Sequence, residues 1–351
     1  MLPLQSLAMP SEGANGDFVL QVYPHRFPTV LYDVPPLFPT PDCEEVGVVF
    51  FIPGNPGLPQ YYVPFLTLIR EQLPGWRMLC VSQAGCDTMS TSRYTDFSKQ
   101  RYYNLRDQVE HKFELLSELL ESHGYMGPAG AHKQVVLIGH SIGCWLMQHL
   151  LVRISNSDLQ LAIRLAILLF PTIKNIGESD SGVKFRKIIS HVPKLAHIAG
   201  STVYYLTRYL PRSAVEVIVR FFMRFPPKHA TNATLAMLDS PSVVYQCVSL
   251  GAEEMEKITE ETEDIRLLFW EGLWGTLHKD GSKQGRIIAY FAQEDHWVGN
   301  HTRAEIIEVH SSRSNVNFVV SSAEDNCQHA FCVNDNHAMA KHVVQWIREI
   351  D

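Results

Sequence analysis

The feature that most limits the fold of this chain is a series of short, continuous apolar runs separated by segments of helical periodicity. Each run has the length of one strand, and several stop at glycine or proline, as strands buried on both faces of a parallel sheet do. The five runs are Val46–Ile52, Trp76–Ser82, Gln134–Ile138, Leu165–Phe170 and Ile287–Phe291. Strands that alternate with helices predict an α/β fold with a mostly parallel central sheet.

Weaker patterns complete the expected order of elements. Phe18–Tyr23 and Asn317–Val320 have the character of a first and a last strand, and helical spacing appears over Gln108–His123, Ile142–Arg153, His301–Val309 and Asn336–Glu349. After the run at 165–170 the strand pattern breaks, which predicts a helical cap inserted there over about 177–270. We expect a flexible N-terminus at 1–17 and a single domain over 18–351.

Composition excludes several classes of protein. The net charge of −7 argues against a nucleic-acid-binding protein, since such binding needs a basic surface. The N-terminus lacks the basic and apolar regions of a signal peptide, and no apolar stretch reaches the roughly 18 residues of a membrane span.

The seven cysteines form no C-x-x-C pair, which favours free thiols. We interpret Cys144 as a buried helix residue, not a catalytic thiol.

The strongest chemical signal is the pentapeptide GHSIG at 139–143. It follows a predicted strand directly and opens a predicted helix, which is the context of a nucleophile elbow. The elbow is a strained turn that needs small residues on both sides of the nucleophile, here Gly139 and Gly143. The motif predicts Ser141 as the nucleophile of a serine hydrolase with an α/β-hydrolase fold. Dehalogenases and epoxide hydrolases would carry aspartate at that position.

A serine nucleophile needs a base to take its proton and a carboxylate to orient that base. In this fold the three follow in the order serine, acid, histidine. The acid is expected just after a late strand, where Asp295 is the favoured candidate and Glu294 the alternative. The base is expected in the loop after the last strand, which favours His329 over His301 and His337, both of which fall in predicted helices.

The negative charge that develops on the substrate needs backbone N–H donors. The first is the Ile142 N–H at the start of the helix after the elbow. The second should come from the loop after an early strand, PGNPG at 53–57, in which Pro56 has no N–H. We therefore expect the Asn55 N–H to be the second donor. The sequence carries no zinc-type ligand cluster, and no metal or other cofactor is expected.

Several motifs together resemble the lipid-droplet-associated hydrolases, a family of the α/β-hydrolase superfamily. They are PGNPG at 53–57, YYVPF at 61–65, GHSIG at 139–143, LFPTI at 169–173 with ES at 178–179, and QHAF at 328–331. The resemblance covers about 44–350. It implies a triad of Ser141, Asp295 and His329. It also implies a neutral-lipid ester as substrate, of the sterol ester or acylglycerol type, and location on the cytosolic face of lipid droplets and the endoplasmic reticulum.

The cap carries a charge pattern of its own. Between Lys184 and Lys228 there are nine basic residues and one acid, interleaved with apolar stretches, although the whole chain is acidic. A basic, apolar surface suits monotopic attachment to a lipid surface. We expect Phe221, Phe222 and Phe225 to face lipid, with Arg220 and Arg224 at its head groups.

The sequence thus predicts a carboxylic ester hydrolase of the lipase or sterol esterase type (EC 3.1.1). Two alternatives remain. The first is a lipid-droplet surface protein with little turnover that acts by binding lipid or a partner. The second is an acyltransferase that uses the same acyl-enzyme. The sequence leaves the oligomeric state open.

Overall fold

The computed structural model describes residues 20–37, 45–90, 101–126, 133–159, 161, 163–274, 284–322, 325 and 327–350. A sheet of eight strands runs through this part of the chain, in the order β1-β2-β4-β3-β5-β6-β7-β8. The strands are β1 (Leu20–Tyr23), β2 (Thr29–Val34), β3 (Gly47–Ile52), β4 (Trp76–Val81), β5 (Gln134–His140), β6 (Ile163–Leu169), β7 (Arg286–Phe291) and β8 (Val316–Val320). Strands β3 to β8 pair in parallel, while β1 and β2 form an antiparallel edge.

Helices connect the strands and cover both faces of the sheet. In chain order they are α1 (Val63–Gln72), α2 (Leu105–Ser122), α3 (Ile142–Ser155), α4 (Asp180–His191), α5 (Leu195–Tyr209), α6 (Arg212–Phe222), α7 (Lys228–Leu238), α8 (Pro241–Lys257), α9 (Asn300–His310), the short α10 (Phe331–Asn334) and α11 (Asn336–Arg348). Short 3-10 turns occupy Pro59–Tyr61 and Ile176–Glu178, and a π-helical turn occupies Ile265–Phe269.

The core lies on the two faces of the sheet, because successive side chains of a strand point to opposite sides. Phe50 joins the core beneath α2 and α3, whereas its neighbour Phe51 joins the core beneath α1 and α11. Both side chains are fully buried. This double burial explains why the central strands are apolar throughout and do not alternate.

The segment between β6 and β7 holds α4 to α8 and the π-helical turn. These helices form the cap at the end of the sheet where the parallel strands finish. Helix α8 packs against α5, α7 and α4, and α7 also packs against the turn at Pro59–Tyr61. The cap thereby covers the loop that follows β3, where the expected second donor lies.

The predicted α/β-hydrolase fold with a cap after the strand at 165–170 is confirmed. Among the strands and α-helices, β2, α1 and the short α10 were not predicted, and β2 makes the sheet edge antiparallel. Of the first predicted strand, the structure gives Leu20–Tyr23. The expected flexible segment at 1–17 lies outside the described residues.

Candidate active site

Ser141 lies on a sharp turn between β5 and α3. Its φ of 54° and ψ of −123° are a conformation that a residue with a side chain adopts only when its surroundings impose it. The flanking glycines make the turn possible: a Cβ at Gly143 would lie 2.2 Å from the Ile52 carbonyl oxygen, and one at Gly139 would lie 2.7 Å from the Gly143 carbonyl. The need for small residues here, expected from the motif, therefore has a direct steric cause.

His329 and Asp295 meet Ser141 from two later loops. The His329 Nε2 atom is 3.0 Å from the Ser141 hydroxyl oxygen, and its Nδ1 atom is 2.8 Å from Asp295 Oδ2. These distances fit hydrogen bonds in which Nδ1–H donates to the carboxylate and Nε2 accepts from the hydroxyl. This geometry matches the one that a serine nucleophile, a base and an orienting carboxylate would require.

The Asp295 carboxylate is held by more than the histidine. Its Oδ1 accepts hydrogen bonds from the Trp297 N–H at 2.7 Å and the Val298 N–H at 3.2 Å. Burial alone would raise the pKa of Asp295, but the hydrogen bond and charge of His329 and these two amides outweigh burial and lower it. The carboxylate therefore stays ionised at neutral pH although its side chain is only 2% exposed.

The alternative candidates lie elsewhere. Glu294 accepts a hydrogen bond from the Asn300 side chain at 3.4 Å and makes no contact with His329 among the described interactions. His301 and His337 are exposed on α9 and α11. Of the candidate residues that the sequence analysis named for the triad, the structure brings Ser141, His329 and Asp295 into contact.

Both expected oxyanion donors lie beside the nucleophile. Ile142 is the first residue of α3, where a helix leaves its N–H groups without an intrahelical acceptor. The loop after β3 approaches from the other side, since a Cβ at Gly54 would lie 3.1 Å from the Ser141 Cβ. Asn55 follows directly and lines the same cavity as Ser141. Their role as donors stays a prediction.

A buried hydrogen-bond chain that the sequence did not predict ties these loops together. The Gly54 N–H donates to the Tyr62 hydroxyl at 3.1 Å, and that hydroxyl is 2.7 Å from His140 Nδ1. His140 Nε2 is 2.9 Å from the His329 carbonyl oxygen. Burial, followed by the proximity of His329, lowers the pKa of His140 to about 3. A neutral His140 thus donates from Nε2 and accepts at Nδ1, joining the loop after β3 to the loop that carries His329.

A cavity of about 600 Å³ opens onto Ser141 and His329. Its wall is mainly apolar and includes Phe185, Met237 and Met255 from the cap. Glu254, a further residue that the sequence did not reveal, adds a carboxyl group to this wall. Cavities of this kind, apolar with a few polar groups, are typical of sites for small organic ligands.

Cys144 does not face this cavity. It is fully buried in α3, its thiol bonds to the Gly139 carbonyl oxygen at 3.1 Å, and burial raises its pKa well above the ordinary value. A thiol in this state is not a nucleophile. Across the described residues, no cluster of histidine, cysteine and acidic side chains is arranged to hold a metal ion.

The family resemblance suggested by the motifs can be compared with the sequence profile of that family. The profile of the family described as "Lipid-droplet associated hydrolase" matches residues 45–332. The chain belongs to this family. It is therefore a hydrolase, and the resemblance predicted from its motifs is confirmed.

Curated relatives of this hydrolase carry the same description. The lipid droplet-associated hydrolase of Gallus gallus is 26% identical over 309 residues, which span 85% of this chain and 83% of the relative. That of Homo sapiens is 24% identical over 314 residues, spanning 86% of this chain and 85% of the relative. These relatives are named for lipid droplets. Among the helices of the described residues, none has both the length and the hydrophobicity that a membrane span requires.

Solved structures share the fold at low sequence identity. A haloalkane dehalogenase loop variant from Bradyrhizobium elkanii aligns with a TM-score of 0.59 and 13% identity, covering 95% of this chain and 97% of the other. The thioesterase domain from the curacin biosynthetic pathway aligns with a TM-score of 0.54 and 10% identity, covering 93% and 99%. At such identities the likeness establishes the α/β-hydrolase fold and nothing finer.

Proposed function

We propose that this hydrolase cleaves fatty-acyl esters of neutral lipids, with Ser141 as nucleophile, His329 as general base and acid, and Asp295 as the group that orients the histidine. The observation that carries the proposal is the pair of hydrogen bonds from Ser141 to His329 and from His329 to Asp295, at 3.0 Å and 2.8 Å, at a strained elbow. Strained nucleophiles beside a histidine and a buried carboxylate are typical of acyl transfer.

The proposed reaction runs through an acyl-enzyme. His329 takes the hydroxyl proton as the Ser141 oxygen attacks the ester carbonyl, and Asp295 stabilises the imidazolium that forms. The Ile142 and Asn55 N–H groups donate to the oxyanion. His329 then returns the proton to the departing alcohol. Water, deprotonated by the same imidazole, attacks the acyl group and releases the fatty acid and the free serine.

The shape and polarity of the cavity support an acyl ester as substrate. The wall is mainly apolar, and the cavity of about 600 Å³ is large enough for an acyl chain. The curated relatives are named lipid droplet-associated, which suits an ester drawn from neutral lipid. Sterol esters and acylglycerols both fit this chemistry.

The surface of α6 supports contact with lipid. Val215 and Val219 pack inward, yet Phe221 and Phe222 on the same helix are 67% and 79% exposed, and Phe225 just beyond it is 69% exposed. Exposed apolar residues that cluster in this way mark interaction surfaces. We define Phe221, Phe222 and Phe225 as the aromatic patch.

The backbone at the end of the aromatic patch has an unusual conformation. Arg224 and Phe225 both have a φ of 57°, a left-handed conformation that usually needs glycine or asparagine. Arg220 and Arg224 supply positive charge at the edge of the patch. The proposal therefore includes monotopic attachment at the cytosolic face of lipid droplets and the endoplasmic reticulum, with aromatic rings in the acyl region and arginines at anionic head groups.

The experiment that tests the function is hydrolysis of emulsified cholesteryl oleate, dioleoylglycerol and a soluble short-chain ester by the wild type and by Ser141→Ala. Loss of at least about 10³-fold in rate is expected for the variant on every ester that the wild type cleaves. An equal rate from the variant would contradict the proposal. Adding an acceptor alcohol distinguishes hydrolysis from acyl transfer, since a transferase would form the new ester. Absence of any turnover by the wild type would favour the lipid-binding alternative.

A further inference from the structure

The wall of the active-site cavity contains one carboxyl group among its described residues, that of Glu254 on α8. Glu254 is only 4% exposed, and its neighbours in the wall, Gly251 and Met255, are not polar. An acidic side chain in such surroundings is costly unless its oxygens find hydrogen-bond partners. The reaction proposed above does not use it.

Only one of the two oxygens of this carboxyl group has a partner. The Asn55 Nδ2 atom donates to Glu254 Oε1 at 2.9 Å and also to the Cys247 carbonyl oxygen at 2.9 Å. Both amide hydrogens of Asn55 are therefore in use. In the described part of the chain Glu254 Oε2 has no hydrogen-bond partner, so it is free to meet a group inside the cavity.

The protonation state of Glu254 limits what that group can be. Burial raises the pKa of Glu254 to about 8, and the neighbouring Glu253 adds to the rise, while the Asn55 hydrogen bond opposes it. At neutral pH the carboxyl group therefore keeps its proton and offers both a donor and an acceptor. This combination matches a hydroxyl group and does not match a hydrocarbon chain.

The position of Glu254 places such recognition close to the reacting atoms. Gly54 lies against the Ser141 side chain, and the next residue, Asn55, contacts Glu254 directly. A hydroxyl bound at Glu254 would consequently sit near the scissile ester and help to orient it.

We propose that Glu254 is a specificity-determining residue that hydrogen-bonds a free hydroxyl group of the substrate. The preferred esters then carry a hydroxyl, in the alcohol part as in partial acylglycerols, or in the acyl part as in esters of hydroxy acids. An ester that is hydrocarbon on both sides leaves the free oxygen unpaired, which lowers kcat/KM by about tenfold or more. This inference rests on the proposed ester hydrolysis.

The test uses two pairs of esters in which a terminal hydroxyl replaces a methyl group of equal size. The first pair varies the alcohol part. It consists of the hexanoate ester of propanediol, with a free hydroxyl at the far end of the propyl chain, and butyl hexanoate. The second pair, butyl ω-hydroxyhexanoate and butyl heptanoate, varies the acyl part. We expect the wild type to prefer the hydroxylated member of at least one pair by about tenfold in kcat/KM, and the pair concerned identifies which part of the substrate is recognised.

Three variants separate recognition from structure. Glu254→Leu is expected to remove the preference, because leucine offers no hydrogen bond. Glu254→Gln is expected to keep part of it, since the amide oxygen can still accept from Asn55 while the amide nitrogen donates at the place of the free oxygen. Glu256→Leu, an exposed position on the same helix, is the matched control and should keep the full preference. Circular dichroism checks that each variant folds.

Two outcomes would overturn the inference. One is an equal rate on both members of both pairs in the wild type. The other is a Glu254→Leu variant that loses activity by the same factor on every ester, since a residue that only positions Asn55 would give that result.

Calorimetric measurement of the binding of the same esters to Ser141→Ala tests the inference without turnover. If the wild type cleaves no ester, the proposed function fails. Tighter binding of the hydroxylated esters would still support the role of Glu254, and equal binding of both members of each pair would refute that role.

Discussion

The Asp295 carboxylate makes two separate sets of hydrogen bonds, one with each of its oxygens. Its Oδ2 accepts a hydrogen bond from His329, and its Oδ1 accepts from the backbone amides of Trp297 and Val298. Substitution by asparagine should affect the tautomer of the histidine more than the local fold. Asparagine retains the acceptor for the turn but can present an amide N–H to His329, which favours the wrong tautomer.

We therefore expect Asp295→Asn to lower kcat on a soluble ester by about 10³–10⁴-fold, while KM changes little. Glu294→Gln is the matched control, because Glu294 bonds only to Asn300 among the described residues, and its activity should stay within about twofold. Steady-state kinetics on both variants measures this. The assignment is refuted if the two substitutions exchange effects.

Glu254 also predicts how stability depends on pH. Its folded-state pKa of about 8 lies above the ordinary value of 4.5, so between these values the folded chain holds a proton that the unfolded chain has lost. The contribution of Glu254 to stability is thus full below about pH 4.5 and is lost as the pH rises towards 8.

Relative to Glu254→Gln, the wild-type free energy of unfolding should fall over this range, by up to about 1.4 kcal/mol per pH unit. Urea denaturation of both proteins at several pH values gives the difference between their free energies of unfolding. The contributions of all other titrating groups cancel in this difference, because both proteins contain them. The exposed Glu256→Gln serves as control and should give no such slope. A pH-independent difference between wild type and Glu254→Gln would show that Glu254 is ionised in the folded state.

Single residues differ in how far the sequence reveals them. Ser141 is marked by its neighbours in the chain, and His329 and Asp295 by their order after predicted strands. Glu254 gives no such signal, because it stands among Glu253, Glu256 and Lys257 and looks like part of a solvated helix face. Its burial depends on how α8 packs against the loop that carries Asn55, which is tertiary information.

Among the elements, α6 is unusual because apolar residues occupy both its inner and its outer side. Val215 and Val219 account for its attachment to the cap, whereas the aromatic patch contributes nothing to that packing. Since each phenylalanine transferred from water to lipid contributes about 1.5–3 kcal/mol, three such rings would supply the free energy needed for the reversible lipid binding that we propose.

Replacing Phe221, Phe222 and Phe225 by serine should lower partitioning onto triolein emulsions coated with anionic phospholipid by at least about tenfold. Activity on a soluble ester should remain within about twofold. Flotation of the protein with the emulsion measures the first quantity. Leu267→Ser with Leu273→Ser, two exposed leucines on and beside the π-helical turn, is the control and should float like the wild type. Unchanged flotation of the triple variant would exclude the patch as the lipid contact.

Elements with strong patterns were predicted, and those with mixed patterns were not. The continuous apolar strands from β3 to β7 follow directly from double burial. Strand β2 contains Asp33, and α1 begins at Val63-Pro64 after aromatic residues. Asp33 is acceptable within a strand because Arg77 bonds to it on the neighbouring strand β4, at 2.6 Å, a partner that the local sequence does not reveal.

At the scale of the whole molecule, the proposed reaction requires three distant parts of the chain to meet at one turn. The elbow follows β5, Asp295 follows β7, and His329 follows β8, so all three lie at the same end of parallel strands. The chain Gly54–Tyr62–His140–His329 fixes two of these loops against each other. The mostly parallel sheet could be expected from the sequence, but this chain of side chains could not, since it links residues far apart in sequence.

The most direct test of this arrangement is covalent labelling with a fluorophosphonate, followed by peptide mass spectrometry. A serine is phosphonylated under mild conditions only when its hydroxyl is activated. We expect the wild type to be labelled at Ser141, and Ser141→Ala and His329→Ala to remain unlabelled. Labelling at another residue, or undiminished labelling of His329→Ala, would contradict the assignment of Ser141 and His329 as nucleophile and base.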